Sequence, residues 1–274
     1  MPIITLTSDF GYKDPSVASL KAKIYAELNT VTLVDISHAI QPFDIAEGAF
    51  VLKNAYPHFP KGSIHLIAVD ELIHPNKKPI VALIDDHYFI SSDNGILSLI
   101  HSDIRPTSIV EIIFPKVDFN ADFPSRDIFA PVACHLARGG NLNLIGEKIN
   151  TLKELYSLRP VIKDEQTIIG NVIYIDNYGN SITNITQKVF QKIGNKRSFT
   201  IQHLGRQFDT IYQNYHEIVR DFDNEALDTG KPMVLFGSSG FLEIAVYKGN
   251  PQNQGGANTL LGLKKGTEIR VNFH

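Results

Sequence analysis

Apolar positions along the first half of the chain fall into short runs separated by helical periodicities. Ile3, Ile4 and Leu6 predict a buried strand that runs into a polar turn, and Val17, Leu20, Ile24 and Leu28 then recur at the spacing of one helix face. Val31 to Asp35 reads as a second strand, which completes a right-handed βαβ unit of ordinary length. A helix over about Ile45 to Ala55, with Asp44 as N-cap, leads to a strand from Ser63 to Asp70. Runs at Ile80 to Ile84, Tyr88 to Ser91 and Ser108 to Ile113 add strands, with Asp93-Asn94-Gly95 as one intervening turn. A helix from Asp127 to Arg138, stopped by Gly139, closes the set. Strands alternating with helices predict a mainly parallel, Rossmann-like α/β sheet.

From about Val161 the texture changes. Strand-like runs (Thr167 to Asp176, Ser181 to Ile185, Phe199 to Ile201, Met233 to Phe236, Leu242 to Tyr247, Glu268 to Phe273) follow one another through Asn/Gly turns, predicting a smaller, antiparallel, β-barrel-like domain. Two domains are expected, residues 1–158 and 162–274, with the junction in Leu155 to Asp164, near Arg159-Pro160.

A length of 274 residues, with 43% hydrophobic and 20% charged content, describes a globular chain with ample core. The net charge of −3 and the absence of basic runs argue against nucleic acid as a partner. No run of apolar residues is long enough to cross a membrane, and the first residues read as strand rather than as a targeting peptide. Cys134 has no second cysteine to pair with, which fits a cytoplasmic protein.

The candidate chemistry gathers at strand ends. Asp9, Asp35 and Asp70 each close a strand, where open α/β sheets hold their ligands. Asp9 lies before the helix start, where a carboxylate has no evident structural duty. Asp14 and Pro15 suit an N-cap and first helical position, so Asp14 and Ser16 either cap the helix or join Asp9 in a polar mouth. His38 reads more readily as structural than as a ligand, and Phe43 as a core residue or as a cover for a ligand. No HExxH, CxxC, GxSxG or GxGxxG occurs, so neither a metal site nor a phosphate loop is expected. Clustered carboxylates without a metal suit a cationic or hydroxyl-rich ligand such as a ribose diol, an amine or a sulfonium. Asn177-Tyr178-Gly179-Asn180 is, by itself, a good hairpin turn.

The segments SDFGYKDPSVASLKAKIY and VTLVDISHAIQPFDIAEGAFVL, with DNYGNSITNI from Asp176 and GSSGFLEIA from Gly237, resemble the S-adenosylmethionine (SAM) hydroxide adenosyltransferase family, which also contains fluorinases and chlorinases. The resemblance implies an α/β domain followed by a β-rich one, SAM as substrate with no further cofactor, adenosine as product, and a homotrimer with sites between subunits. It implies that Asp9 holds the ribose hydroxyls, that Asp14 and Ser16 take the methionine end, and that Phe43 walls the sulfonium and ribose. Asp176 would share the ammonium, Tyr178 would stack on adenine, Asn180 would bond its edge, and Ser238 and Ser239 would reach the carboxylate.

The match weakens where water would be activated. Family hydrolases typically read VDPGVGTxRR and FHGRDxFAP, and this chain reads VDELIHPNKKPI and FPSRDIFAP. Asp70 keeps the acid, Lys77 stands in place of the arginine, and Pro124 in place of the histidine. Lysine keeps charge without the planar fork, and proline offers neither a proton carrier nor an N–H. His74 would substitute only if its loop folds inward. Three readings follow: a SAM hydrolase with Asp70 and Lys77 at its catalytic centre, a SAM- or adenosine-binding protein with little turnover, and a halogenase. Ser125 in FPSRD resembles a halide-holding serine, but Asp70 and Ile73 replace the halogenase tyrosine and threonine.

Overall fold

The computed structural model describes residues 1–101, 104–113, 117–156 and 159–274, which pack as two compact units, Met1–Ser157 and Leu158–His274. Of the expected junction, residues 157 and 158 lie outside the described residues.

The first unit runs β1 (Ile3–Ser8), α1 (Ser16–Glu27), β2 (Thr32–Ser37), α2 (Ile45–Ala55), β3 (Ile64–Ala68), β4 (Pro79–Ile84), β5 (His87–Ser92), α3 (Ile96–Ile100), β6 (Ser108–Ile112), α4 (Ala130–Ala137) and β7 (Gly146–Lys148). Its seven strands lie in the order β2-β1-β3-β5-β4-β6-β7. The first four are parallel, and β4, β6 and β7 add antiparallel pairs. Alternate side chains of β1 and β3 serve opposite faces. Ile4, Leu6, Leu66 and Ala68 meet Leu20 of α1 and Val132 of α4, whereas Ile67 meets Leu52 of α2 and Ile96 of α3. Every residue of β3 is buried, as expected for a strand covered on both faces. Asp85 and Asp86 join β4 to β5 with φ of 51° and 61°, the left-handed pair a tight hairpin requires.

The helix expected from Asp127 begins earlier and in another form. Residues Ser125–Phe129 make a π-helical turn that passes directly into α4. Gly139, with φ of 80°, lies just past its end.

The second unit runs β8 (Val161–Lys163), β9 (Thr167–Ile175), β10 (Ser181–Thr186), α5 (Gln187–Gly194), β11 (Phe199–His203), β12 (Arg206–Phe208), β13 (Pro232–Phe236), β14 (Phe241–Val246), α6 (Ala257–Leu260) and β15 (Glu268–Phe273). All its strand pairs are antiparallel, in the order β12-β11-β15-β9-β10-β14-β13, with β8 beside β9. Ile201 of β11 and Val234 of β13 stand near opposite ends of that order yet share one core with Ile168 and Leu242, so the sheet curls on itself. The Tyr212 N–H donates to the Val234 carbonyl at 2.8 Å and narrows the remaining gap. Strands β8 and β12 and helix α5 carry no sequence signal used above. α5 forms because Thr186 caps it, its side chain accepting from the Val189 N–H at 3.2 Å.

Candidate active site

Sequence alone gives Asp9 no structural duty, and the fold gives it one. Asp9 follows the last residue of β1, and its Oδ2 accepts the Phe43 N–H at 2.8 Å and the Asp70 N–H at 3.2 Å. Both partners hold left-handed backbone, with φ of 64° at Phe43 and 46° at Asp70. Such conformations cost about 1–3 kcal/mol each for ordinary residues and persist only where neighbours enforce them. One carboxylate oxygen therefore pins two strained loop residues, and Oδ1 has no partner among the described residues.

Asp70 is held from its other side as well. Its carbonyl accepts from Ser92 Oγ at 3.2 Å, Asn94 Nδ2 at 3.3 Å and Lys77 Nζ at 3.2 Å. Lys77 Nζ also lies 3.1 Å from Asp70 Oδ1, so the lysine in the arginine's place contacts both the backbone and the carboxylate. The residues between fold as a tight turn, with reciprocal backbone bonds between His74 and Lys77 at 3.1 and 2.8 Å. His74 does not fold inward: it is exposed, and its Nδ1 accepts the Asn76 N–H within that turn.

Asp35 leaves the acid set. Rather than ending β2 it lies inside it, on the edge of the sheet, with Lys21 Nζ at 2.5 Å from Oδ2 and His38 Nε2 at 3.1 Å from Oδ1. Burial works to raise its carboxyl, but the Lys21 and His38 hydrogen bonds prevail and hold it below the usual range. His38 is wholly buried and its Nδ1 meets Ser8 Oγ at 2.6 Å, which makes it a structural link between β1 and β2. Burial lowers its pKa against the pull of Asp35.

The expected cap of α1 is also displaced. Pro15, not Asp14, occupies the N-cap position, and no side chain caps the helix. Asp14 is exposed and Ser16 half-buried, and neither makes a side-chain hydrogen bond among the described residues. Phe43 and Tyr12 are 70% and 67% exposed, an open aromatic surface on the loops at the strand ends.

Beside Asp70 stands a residue that sequence reading passed over. Glu71 is 7% exposed, and its Oε2 accepts the Ser125 N–H at 3.1 Å. Burial pushes its carboxyl up to about 7, with Asp9 and Asp127 adding to the effect and Ser125 opposing it. Ser125 itself is fully buried at the start of the π-helical turn, directly after Pro124. An acid inside an apolar run next to a candidate catalytic aspartate was the available signal.

In the second unit Asp176, Tyr178 and Asn180 line a cavity of about 410 Å³ with Tyr215, Tyr247 and Lys248. Their loop is a hairpin turn between β9 and β10, so that reading holds, and the turn is closed by Asp176 itself. Asp176 Oδ1 accepts the Tyr178 and Asn180 N–H groups at 2.9 and 2.8 Å, and Oδ2 accepts Asn180 Nδ2 at 2.9 Å. Gly179, at φ of 78°, packs so close that an added Cβ would lie 2.9 Å from Gly256 Cα. Tyr178 is 66% exposed. Tyr215 meets Asn180 Nδ2 at 3.3 Å and donates to the buried Glu243 carboxylate. Burial, then Glu243, pushes its phenol well up. Tyr215 comes from an irregular segment and had no sequence signal. Ser238 and Ser239 lie in the β13–β14 turn, at the end of β14 away from this cavity, and do not line it.

Strand-end carboxylates on an α/β sheet, held by loop backbone, together with a polar-aromatic cavity on an antiparallel unit, define a protein built to bind a small polar ligand. Residues 4–146 match the SAM hydroxide adenosyltransferase N-terminal domain and residues 170–270 the C-terminal domain of the same family. The chain belongs to the SAM hydroxide adenosyltransferase family. It is 28% identical to an (R)-S-adenosyl-L-methionine hydrolase of Thermus thermophilus, covering 96% of this chain and 97% of that one. It is also 28% identical to one of Methanocaldococcus jannaschii, covering 99% and 96%. A fluorinase of Nocardia brasiliensis is 25% identical over 70% of this chain and 74% of its own. A crystal structure of an uncharacterized conserved protein from Thermotoga maritima superposes with a TM-score of 0.84 at 30% identity, covering 98% and 99% of the two chains.

Proposed function

We propose that this protein hydrolyses SAM at the ribose 5′ carbon, releasing adenosine and methionine without a cofactor. The observation that carries the reading is the Asp9–Asp70 arrangement, in which a strained aspartate is locked from both sides at the carboxyl ends of parallel strands. Asp9 Oδ1 is free to take a ribose hydroxyl, and the exposed Phe43 offers an aromatic wall beside it. Asp14 and Ser16, without side-chain partners among the described residues, suit the amino-acid end, and Asp176, Tyr178 and Asn180 supply further contacts in this reading, whereas Ser238 and Ser239 enter it through the family resemblance alone. The sulfonium leaves as a neutral thioether, so the site has mainly to align water and exclude bulk solvent. Asp70, oriented by Lys77, directs the water. Incubation with SAM and chromatography of the products tests this. Adenosine release that falls about 10²–10⁴-fold in Asp70→Asn is the expected result, and adenosine at an equal rate from both proteins refutes the role of Asp70.

A second reading, SAM or adenosine binding with little turnover, draws on Pro124, which supplies no proton carrier. Binding without adenosine release in the same assay would select it. Halide transfer is disfavoured because the Ser125 N–H is already donated to a carboxyl group. A 5′-halo nucleoside formed in chloride or fluoride would overturn that ranking.

A homotrimer with sites between subunits belongs to the same proposal, and the exposed rings of Tyr12 and Phe43 on the first unit and of Tyr178 on the second are apolar surfaces that assembly would cover. Light scattering is expected to give three times the chain mass, and a monomer at all concentrations would exclude it. A cytoplasmic location is proposed with it, since the single buried Cys134 makes the fold independent of disulfides.

A further inference from the structure

Water attacking the 5′ carbon releases a proton, and position 124 holds a proline where the family pattern has a histidine to take it. Glu71, in the segment that carries Asp70, links it to the segment that carries Pro124. It follows Asp70 in the chain, and its carboxyl receives the N–H of Ser125, the residue after Pro124, at 3.1 Å. The Ser125 hydroxyl is fully buried, lies against the same carboxyl and is outside good hydrogen-bond geometry with any described group. Two buried polar groups thus meet here, and the one hydrogen bond of good geometry between the two residues is that from the Ser125 N–H.

The charges around Glu71 do not neutralise it. Lys77 is engaged by Asp70, and Arg126 by Asp127 at 2.7 Å, while Asp9 and Asp127 face the carboxyl with negative charge. No cation pairs with Glu71 among the described residues. A buried acid is usually ion-paired, and this one holds only the Ser125 N–H.

We propose that Glu71 is the proton acceptor of this enzyme's hydrolytic reaction, in the place that histidine holds in the family pattern; the proposal rests on the hydrolase reading. The water oxygen bonds to C5′ as the C5′–S bond breaks, and the bonding pair stays on sulfur to give neutral methionine. The proton shed by the former water passes to the Glu71 carboxylate and from there to solvent. Burial sets this carboxyl at about 7, where it is both ionised often enough to accept a proton and weak enough as an acid to hold it.

The test is the pH dependence of adenosine release in wild type and Glu71→Gln, with SAM binding followed by calorimetry. The amide oxygen still accepts the Ser125 N–H, so the fold is expected to persist. Wild-type turnover should rise through about pH 7, and Glu71→Gln should lose about 10²–10⁴-fold in turnover together with that rise, with SAM binding retained. Should Glu71→Gln fail to fold, Glu71→Asp decides: a displaced pH limb supports the assignment, and an unchanged one overturns it. A working wild type whose Glu71→Gln variant keeps its rate and pH profile overturns Glu71 alone. A wild type that binds SAM and releases no adenosine overturns the hydrolase reading and Glu71's role with it.

Discussion

Asp9→Ala is expected to reduce kcat/KM for adenosine release by about 10³-fold or more. The substitution takes away the acceptor of the exposed Phe43 N–H and the part-buried Asp70 N–H, and removes the restraint on two left-handed residues, each worth about 1–3 kcal/mol. A loss of about 4 kcal/mol in organised geometry corresponds to the stated factor, before any ribose contact is counted. Asp9→Asn separates the two duties. Its amide oxygen can still accept the backbone N–H groups, so the loops should stay in place while the charged contact to a ribose hydroxyl is lost. The variant should therefore fall between wild type and Asp9→Ala. Steady-state kinetics on the three proteins check this, and an Asp9→Ala enzyme within a few-fold of wild type would remove Asp9 from the centre of the site.

The second large effect is a loss of stability in acid, centred on histidines far from the ligand edge. His65 at the start of β3 and His87 at the start of β5 lie 3.1 Å apart, and Thr5 Oγ1 meets His65 at 2.7 Å. Tyr56, Phe89 and His101 pack around them, with His101 4.5 Å from the Phe89 ring centre. Burial, with the other two histidines adding, lowers His65 to about 3, and burial with Lys53 lowers His101 to about 4. These folded-state values lie below the unfolded value of 6.5, so the unfolded chain binds protons first as pH falls. Stability is full above pH 6.5 and declines toward pH 4 by about 1.4 kcal/mol per pH unit for each histidine. The two together amount to about 7 kcal/mol over that window. Glu71 has the opposite sign, because its raised carboxyl favours the folded state in acid between 4.5 and about 7, and it offsets about 3 kcal/mol. The net of about 4 kcal/mol is a large share of a domain's stability. Thermal melting from pH 7 to pH 4 should show the decline. In His101→Phe the slope should flatten and stability at pH 7 should rise, since both His101 nitrogens lack partners among the described residues. A melting temperature independent of pH over this range would contradict the account.

Much of the α/β unit is legible because its strands and helices repeat at the periods that burial demands, as Ile4 and Leu6 or Leu20 and Ile24 do. Asp9 and Asp70 could be read as strand-end acids. That one clamps the backbone of the other could not, because they stand 61 positions apart and the bond involves a backbone N–H, which any residue but proline carries. Asp35 misled for a related reason: β2 is an edge strand, where a polar residue can sit mid-strand, and its partner Lys21 comes from a helix face. Glu71 left a signal in its place between Asp70 and Leu72-Ile73, but its burial against Ser125, 54 residues on, is set by the fold. The short strands β8 and β12 owe their form to neighbours rather than to any run of their own.

The π-helical turn before α4 separates two obligations of one helix. Beyond Ala130 the register is dictated by Val132 and Leu136 in the core, whereas the wider turn rotates Ser125 relative to that register. Excising Arg126 or Asp127 would restore regular winding and swing Ser125 by about 100° around the axis, while the buried Ile128 and Phe129 keep their register with the packed half. A lineage could thus exchange what this helix presents to a ligand while inheriting its interior unchanged, and closely related scaffolds could diverge in chemistry through a change of one residue in length.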